Sequence, residues 1–173
     1  RDMPEPRGKI TGGTSAINGQ VYLRAIPEDF DYWVAEGNGE WSFEKILPFL
    51  KKLENDLDIT NRYHGNKGPI VIRRYQPDEL VDDQAAFIEA ATTAGFPQTD
   101  DHNHPASSGV GPLPLNNPDG VRWSTAIGYL TMARDRPNFT ISPDSHTTRI
   151  LFNGKRAVGV EYQKGGSSIQ VNA

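Results

Sequence analysis

Apolar residues in the first third of the chain recur at helical spacing. Phe30, Trp33 and Val34 stand at i, i+3 and i+4 behind Pro27-Glu28-Asp29, which predicts a helix starting at Pro27 and ending at Gly37-Asn38-Gly39. A longer stripe of Phe43, Ile46, Leu47, Leu50 and Leu53 predicts a second helix capped by Ser42, with Pro48 bending or tightening its first turns. That stripe reads as core packing. Gly65-Asn66-Lys67-Gly68-Pro69 then breaks the chain before Ile70-Val71-Ile72, a short strand. An amphipathic helix is predicted over 78–94, with Leu80, Val81, Phe87, Ile88 and Ala91 inward and Gly95 closing it.

The second half changes character. Residues 97–120 are dominated by Pro, Asp, Asn, Ser and Gly, and an irregular stretch of that length reads as a functional or mobile loop. Arg122 to Ala133 reads as a helix capped at Ser124. Beyond Pro137 the pattern alternates, predicting strands at Phe139-Thr140-Ile141, Thr148–Phe152, Ala157–Tyr162 and Ile169-Gln170-Val171. Asn153-Gly154 between the second and third of these marks a β-hairpin turn.

Composition narrows the classes. With 173 residues, 36% hydrophobic, a mean hydropathy of -0.59, 17 Gly and 13 Pro, the chain is of single-domain size with a modest core and many turns. A net charge of -4 from 18 basic and 22 acidic residues, without a long block of either sign, argues against a nucleic-acid partner. Lys51-Lys52 and Arg73-Arg74 read as solvated face residues. No apolar run reaches the roughly 18 residues of a membrane-spanning helix. The absence of cysteine excludes disulfides and favours a reducing, cytoplasmic location. RDMPEPRGK carries no initiator Met and no signal-peptide apolar region, and GVEYQKGGSSIQVNA stops on a strand-like pattern, so the chain is expected to be an excised piece of a longer one.

The candidate chemistry concentrates in residues 7–22, RGKITGGTSAINGQVY. Gly12 and Gly13 permit close backbone approach, while Thr14, Ser15 and Asn18 supply hydrogen-bonding groups around it. A short helix from Thr14, with Thr14 or Ser15 as its N-cap, would turn amides toward the same place. The spacing is neither a P-loop nor a Rossmann GxGxxG, so an anion or cofactor site and a tight structural turn both stay open. Asp100, Asp101, His102 and His104 lie close in sequence, but their spacing sets no coordination geometry; they read as a polar, solvated loop, and no metal is expected. His64 and His146 stand alone. Hydrolase triads gain no support, because there is no GxSxG elbow and no cysteine nucleophile. Asp82-Asp83 falls on the polar side of its helix, and Asn138-Phe139-Thr140 is a sequon by its letters only.

Taken together, these fragments resemble the glucose–methanol–choline (GMC) family of flavin oxidoreductases along the whole chain. Gly8-Lys9, Gly12-Gly13-Thr14-Ser15, Asn18, Tyr22, Ala25 and Asp31 fall at the spacings of that family's first signature, although Thr11 stands where an aliphatic residue is usual. EDFDYW, LPFLKKLE, HGNKGP, DHN followed by GVG, GVRWSTAIGYL, RPNFTI and TRILFNGKRAVGVEY follow in the family's order.

The resemblance implies an α+β chain: part of an FAD-binding α/β domain plus part of an antiparallel-sheet substrate domain. Residues 1–36 would be the flavin-proximal segment, 37–136 mainly the substrate-domain insertion and helices, and 137–173 a hairpin returning to the FAD-binding domain. It implies FAD as cofactor, approached by Gly12, Gly13, Thr14 and Ser15, with Asn18, Gly19 and Val21 beside the isoalloxazine and the backbone of Thr147 near adenine. Ile17 stands where some choline-oxidising members carry a histidine covalently bonded to the flavin, so noncovalent FAD is expected. Arg122 and Ser124 match a family motif and are expected to be structural. The implied reaction is oxidation of a small-molecule alcohol by hydride transfer to flavin N5, followed by reoxidation by oxygen or another electron acceptor. The catalytic histidine pair is expected beyond Ala173, in the remainder of the same polypeptide, leaving no catalytic residue in this chain. A lyase or decarboxylase on the same scaffold, or an inactive nonenzymatic fragment, are the alternatives.

Overall fold

The computed structural model describes residues 3–173, which form two compact units divided between Ala133 and Arg134. What was expected of Arg1 and Asp2 lies outside the described residues. Helices and a short parallel strand pair make up the first unit and an antiparallel sheet the second, giving an α+β chain. Among the described residues no helix is long and apolar enough to cross a membrane.

Helix α1, Pro27–Ala35, begins where the sequence predicts. Pro27 loses no helical hydrogen bond in the first turn, and the Asp29 carboxylate accepts the Ile26 N–H at 3.1 Å. Gly37, at φ 92, ends it. Helix α2, Phe43–Leu53, contains Pro48 and starts on the Ser42 carbonyl rather than on a side-chain cap. Its stripe is only half-buried, with Leu53 exposed; Phe43 packs 6.0 Å from Phe30 and 6.5 Å from Tyr63 between ring centroids. The buried large hydrophobic side chains among the described residues are Phe30, Ile70 and Ile72, of which Ile72 is fully buried, as is Pro114, so the apolar core is small.

Strand β1, Glu54–Asp56, continues straight from α2 and runs parallel to β2, Ile70–Ile72. Glu-Asn-Asp has no apolar member, so β1 escapes the hydrophobic pattern, yet Glu54 and Asp56 point inward and are buried. The HGNKGP turn returns the chain across the α2–β1 junction. A Cβ on Gly65 would lie 1.9 Å from the Lys51 carbonyl oxygen, and one on Gly68 would lie 2.3 Å from the Glu54 nitrogen.

Helix α3 spans Asp82–Thr93, shorter than predicted because residues 77–79 form a separate 3-10 turn. Ile88, Ala91 and Thr92 take its inner side, which turns Phe87 out to solvent, and Val81 precedes the helix and is also exposed. Residues 97–120 are irregular, as expected, but tied. Thr99 N–H donates to the Val110 carbonyl and Val110 N–H to that of Pro97, at 3.0 and 2.9 Å, and His102 Nε2 lies 3.1 Å from the Gly111 oxygen. The helix expected from Arg122 starts later. Its Ala126–Leu130 stretch is π-wound and continues as an α-helical turn at Thr131–Ala133, while Arg122 and Trp123 stay outside the helix. The Trp123 indole N–H donates to the Pro69 carbonyl at 2.8 Å.

In the second unit β3 (His146–Asn153), β4 (Arg156–Lys164) and β5 (Ser167–Asn172) form an antiparallel meander in that order. The Asn153-Gly154 turn closes the predicted hairpin, with Gly154 at φ 60. Arg149, Glu161 and Gln170 make a polar ladder across it. Phe139–Ile141 is not a strand, contrary to expectation: Pro137, Pro143 and the left-handed Asp144 (φ 55) keep this stretch out of extended pairing.

Candidate functional site

The glycine-rich segment is built around left-handed backbone at Gly12 (φ 96) and Gly13 (φ 57). Gly13–Ala16 forms a 3-10 turn that starts at Gly12, and no side chain caps it, so neither Thr14 nor Ser15 is the N-cap the sequence suggested. Their hydroxyls instead fasten the turn. Thr14 Oγ1 accepts the Gly8 N–H at 3.3 Å, and Ser15 donates to the Gly12 carbonyl at 2.6 Å while accepting the Thr125 N–H at 3.0 Å. One side of the segment is closed: a Cβ on Gly12 would meet Ala126 at 3.2 Å. The other side is open, since a Cβ on Gly13 or Gly19 would meet nothing within 4 Å, and Ile17 and Val21 are 49% and 42% exposed.

Asn18 is oriented by its neighbours. Its Oδ1 accepts hydrogen bonds from the Arg122 guanidinium (2.9 Å) and the Gln20 N–H (3.1 Å), leaving the amide nitrogen as the group it can offer outward. Arg122 also donates to the Asn18 carbonyl at 2.6 Å, and the Ser124 carbonyl accepts the Ile127 and Gly128 N–H groups. Gly12, Gly13, Thr14, Ser15, Asn18, Gly19 and Val21 therefore belong to one continuous segment of the first unit. Thr147 lies in the second unit, exposed on β3 and paired with Tyr162.

Tyr22 and Arg24 lead from this segment into a buried charge cluster that the sequence reading missed. Arg24, His64 and Arg74 supply three cations against Glu54, Asp56 and Asp101, and none of these six side chains is more than 15% exposed. Arg24 pairs with Glu54, and Arg74 Nη1 lies 2.9 and 3.0 Å from the two Asp56 oxygens. His64 Nε2 sits 2.9 Å from Asp101, while Nδ1 lies between Glu54 (3.1 Å) and Asp56 (3.0 Å), shared by both and aligned with neither. Burial alone would lower the His64 pKa, but the bond to Asp101 and the Asp56 and Glu54 carboxylates beside Nδ1 lift it to about 10. Burial opposes ionisation of Asp56 and Asp101 as well, and their bonds to His64, joined by Arg74, hold both below the usual carboxylate range. Burial, reinforced by the charge of Glu54, pushes the Tyr22 phenol up to about 12.

The Glu54, Asp56 and His64 donor atoms lie within 4.8 Å of one another, close enough for a metal ion. Two arginines and an imidazolium already neutralise the carboxylates, and both imidazole nitrogens face oxygens, so the arrangement reads as an ion-pair network. Arg74 and Asp101 thus correct the expectation of a solvated Arg73-Arg74 face and a solvated 100–104 loop: Arg74 is 4% exposed, and Asp101 is fastened by His64. The available signal was charge itself, three acids and three bases around the HGNKGP turn, but only the fold shows that they converge.

The cluster fixes a pH dependence. His64 is raised above its ordinary 6.5, so its stabilisation is complete below that pH and is lost as pH rises from about 6.5 to 10. Asp56 and Asp101 are lowered, so theirs is present above about 4 and is lost on further acidification. Urea midpoints are expected to be highest between about pH 4 and 6.5 and to fall on either side.

The GMC oxidoreductase family profile matches residues 1–173. The oxygen-dependent choline dehydrogenase of Escherichia coli O139:H28 is 43% identical over 177 aligned positions, covering 100% of this chain and 31% of the relative. Pyridoxine 4-oxidase from Mesorbium loti superposes with a TM-score of 0.88 at 33% identity, over 96% of this chain and 33% of that one. An FAD-dependent oxidoreductase from Chaetomium thermophilum gives 0.86 at 28% identity, over 96% and 31%. The chain thus spans about a third of the length of the proteins it matches. With the family signature, the α+β fold and these likenesses in agreement, the chain belongs to the GMC oxidoreductase family.

Proposed function

We propose that this chain is the flavin-facing part of an FAD-dependent oxidoreductase that oxidises a primary or secondary alcohol, with Gly12 to Val21 lying against a noncovalent flavin. The observation that carries the reading is the one-sided segment: Gly12 is packed against Ala126, Gly13 and Gly19 are open, and Asn18 is oriented to present its amide nitrogen. The likeness to a structure named as an FAD-dependent oxidoreductase supports the cofactor, and the names choline dehydrogenase and pyridoxine 4-oxidase support a small hydroxyl-bearing substrate.

FAD bound there supplies a hydride acceptor for the oxidation. The chain's own residues bind and orient. Gly13 and Gly19 admit a flat ring at close range because neither carries a Cβ. Asn18 offers a fixed hydrogen-bond donor, Ser15 and Thr125 hold the turn, and Arg122 holds Asn18. Ile17 is aliphatic and forms no bond to the flavin. Within this reading residues 1–36 are flavin-proximal, 37–136 belong mainly to the substrate domain, and 137–173 return to the cofactor with Thr147 near adenine. The base is a histidine outside these 173 residues, the terminal acceptor is oxygen or another oxidant, and the compartment in this reading is the cytoplasm.

The test uses the longest natural polypeptide carrying this segment. Anaerobic mixing with a panel of primary and secondary alcohols is expected to bleach the visible flavin band with at least one of them. A flavin band that no alcohol bleaches would overturn alcohol oxidation.

A further inference from the structure

Asn103 lies in the irregular 97–120 stretch, is 7% exposed, and turns both ends of its carboxamide to the chain that leaves the glycine-rich segment. Its Nδ2 donates to the Tyr22 carbonyl at 3.0 Å, and its Oδ1 accepts the Arg24 N–H at 2.9 Å. Those are the two groups that an adjacent β-strand would otherwise satisfy, so one side chain does the work of a neighbouring strand. The rest of the run is held by backbone: Tyr22 N–H donates to the Pro114 carbonyl and Asn116 N–H to that of Gln20, both at 2.9 Å. Asn103 is itself anchored, because its N–H donates to Asp101 at 2.9 Å, and Asp101 is gripped by His64.

We infer that Asn103 is a positioning residue for the cofactor-facing segment: it fixes residues 22–24 and thereby the placement of Asn18 to Val21 just upstream. The cofactor half of this rests on the function proposed above; the geometric half does not. Asn is suited to the role because one planar group offers donor and acceptor together. Aspartate lacks the donor, and serine cannot span both partners.

Hydrogen exchange measured by mass spectrometry on the longest natural polypeptide tests it, comparing wild type with Asn103→Ala and with Ile88→Ala, a control on α3. In Asn103→Ala, exchange in a peptide covering residues 17–25 is expected to quicken about tenfold while the β3–β4 hairpin is unchanged, and flavin dissociation to rise about tenfold. Ile88→Ala is expected to lower thermal stability without either local change. Where alanine yields no folded protein, Asn103→Ser is read in the same way, and failure of both to fold beside a folded control would make Asn103 a determinant of the fold as a whole and overturn the positioning role. Unchanged exchange over 17–25, or a change no larger than the control's, also overturns it. If exchange quickens while flavin binding is unaltered, the cofactor link is overturned. A wild type that binds no flavin contradicts the cofactor reading, and exchange alone then decides the geometric half.

Discussion

Replacing His64 with leucine is expected to cost about 3–5 kcal/mol of stability near neutral pH, the usual consequence of removing one partner from a buried ion-pair network. The substitution leaves Glu54, Asp56 and Asp101 facing only Arg24 and Arg74, one uncompensated negative charge among groups of 15% exposure or less. His64→Gln keeps part of the hydrogen bonding without the charge and should fall between wild type and leucine. Two signatures separate this from simple loss of packing. Below about pH 4 the deficit should shrink, because a carboxylate that takes up a proton no longer needs the imidazolium. Above about pH 6.5 the variant should lack the alkaline decline expected of the wild type, since His64 is its source. Urea unfolding from about pH 2 to about pH 10 reads both, and a deficit independent of pH would contradict the charge account.

Gly65→Ala is expected to cost about 3 kcal/mol, at the upper end of overpacking penalties. Its new methyl would lie 1.9 Å from the Lys51 carbonyl oxygen and 2.9 Å from that of Glu54. Both obstacles are backbone at the end of α2 and the start of β1, and neither can swing aside as a flexible side chain would. Moving the turn would also disturb the Gly65 N–H bond to Glu54 at 2.7 Å, and with it the carboxylate that Arg24 and His64 share. Gly39→Ala is the comparison: a Cβ there meets nothing within 4 Å, and its φ is not left-handed, so thermal unfolding should shift little. Equal thermal shifts for the two variants would contradict the close-approach argument.

Much of the secondary structure in both units was legible because local signals agreed with the fold. Pro27 with its acidic neighbours started α1, Gly95 ended α3, and Asn153-Gly154 turned the hairpin. Legibility failed where burial contradicted residue type. Glu54 and Asp56 carry a strand whose inward face is charged, so no hydrophobic alternation announced β1, and the same inversion hid Arg74 and Asp101. Phe87 failed in the opposite sense, an apolar residue at a plausible helical position that faces solvent. At the glycine pair the pattern showed the need for close approach, but the three-dimensional arrangement was needed to see that Ser15 and Thr14 are spent on the turn itself and that Asn18 has its amide nitrogen to offer.

Asn103 and Glu54 fasten Tyr22 and Arg24, just after the glycine-rich segment, so under the proposed function stability and cofactor binding are expected to be coupled through residues 18–24. The most direct test of the account is the flavin content of the longest natural polypeptide carrying this segment, measured before and after acid precipitation. The account predicts one FAD per chain, all of it released to the supernatant. A purified protein without flavin, or flavin retained by the precipitate, would contradict it.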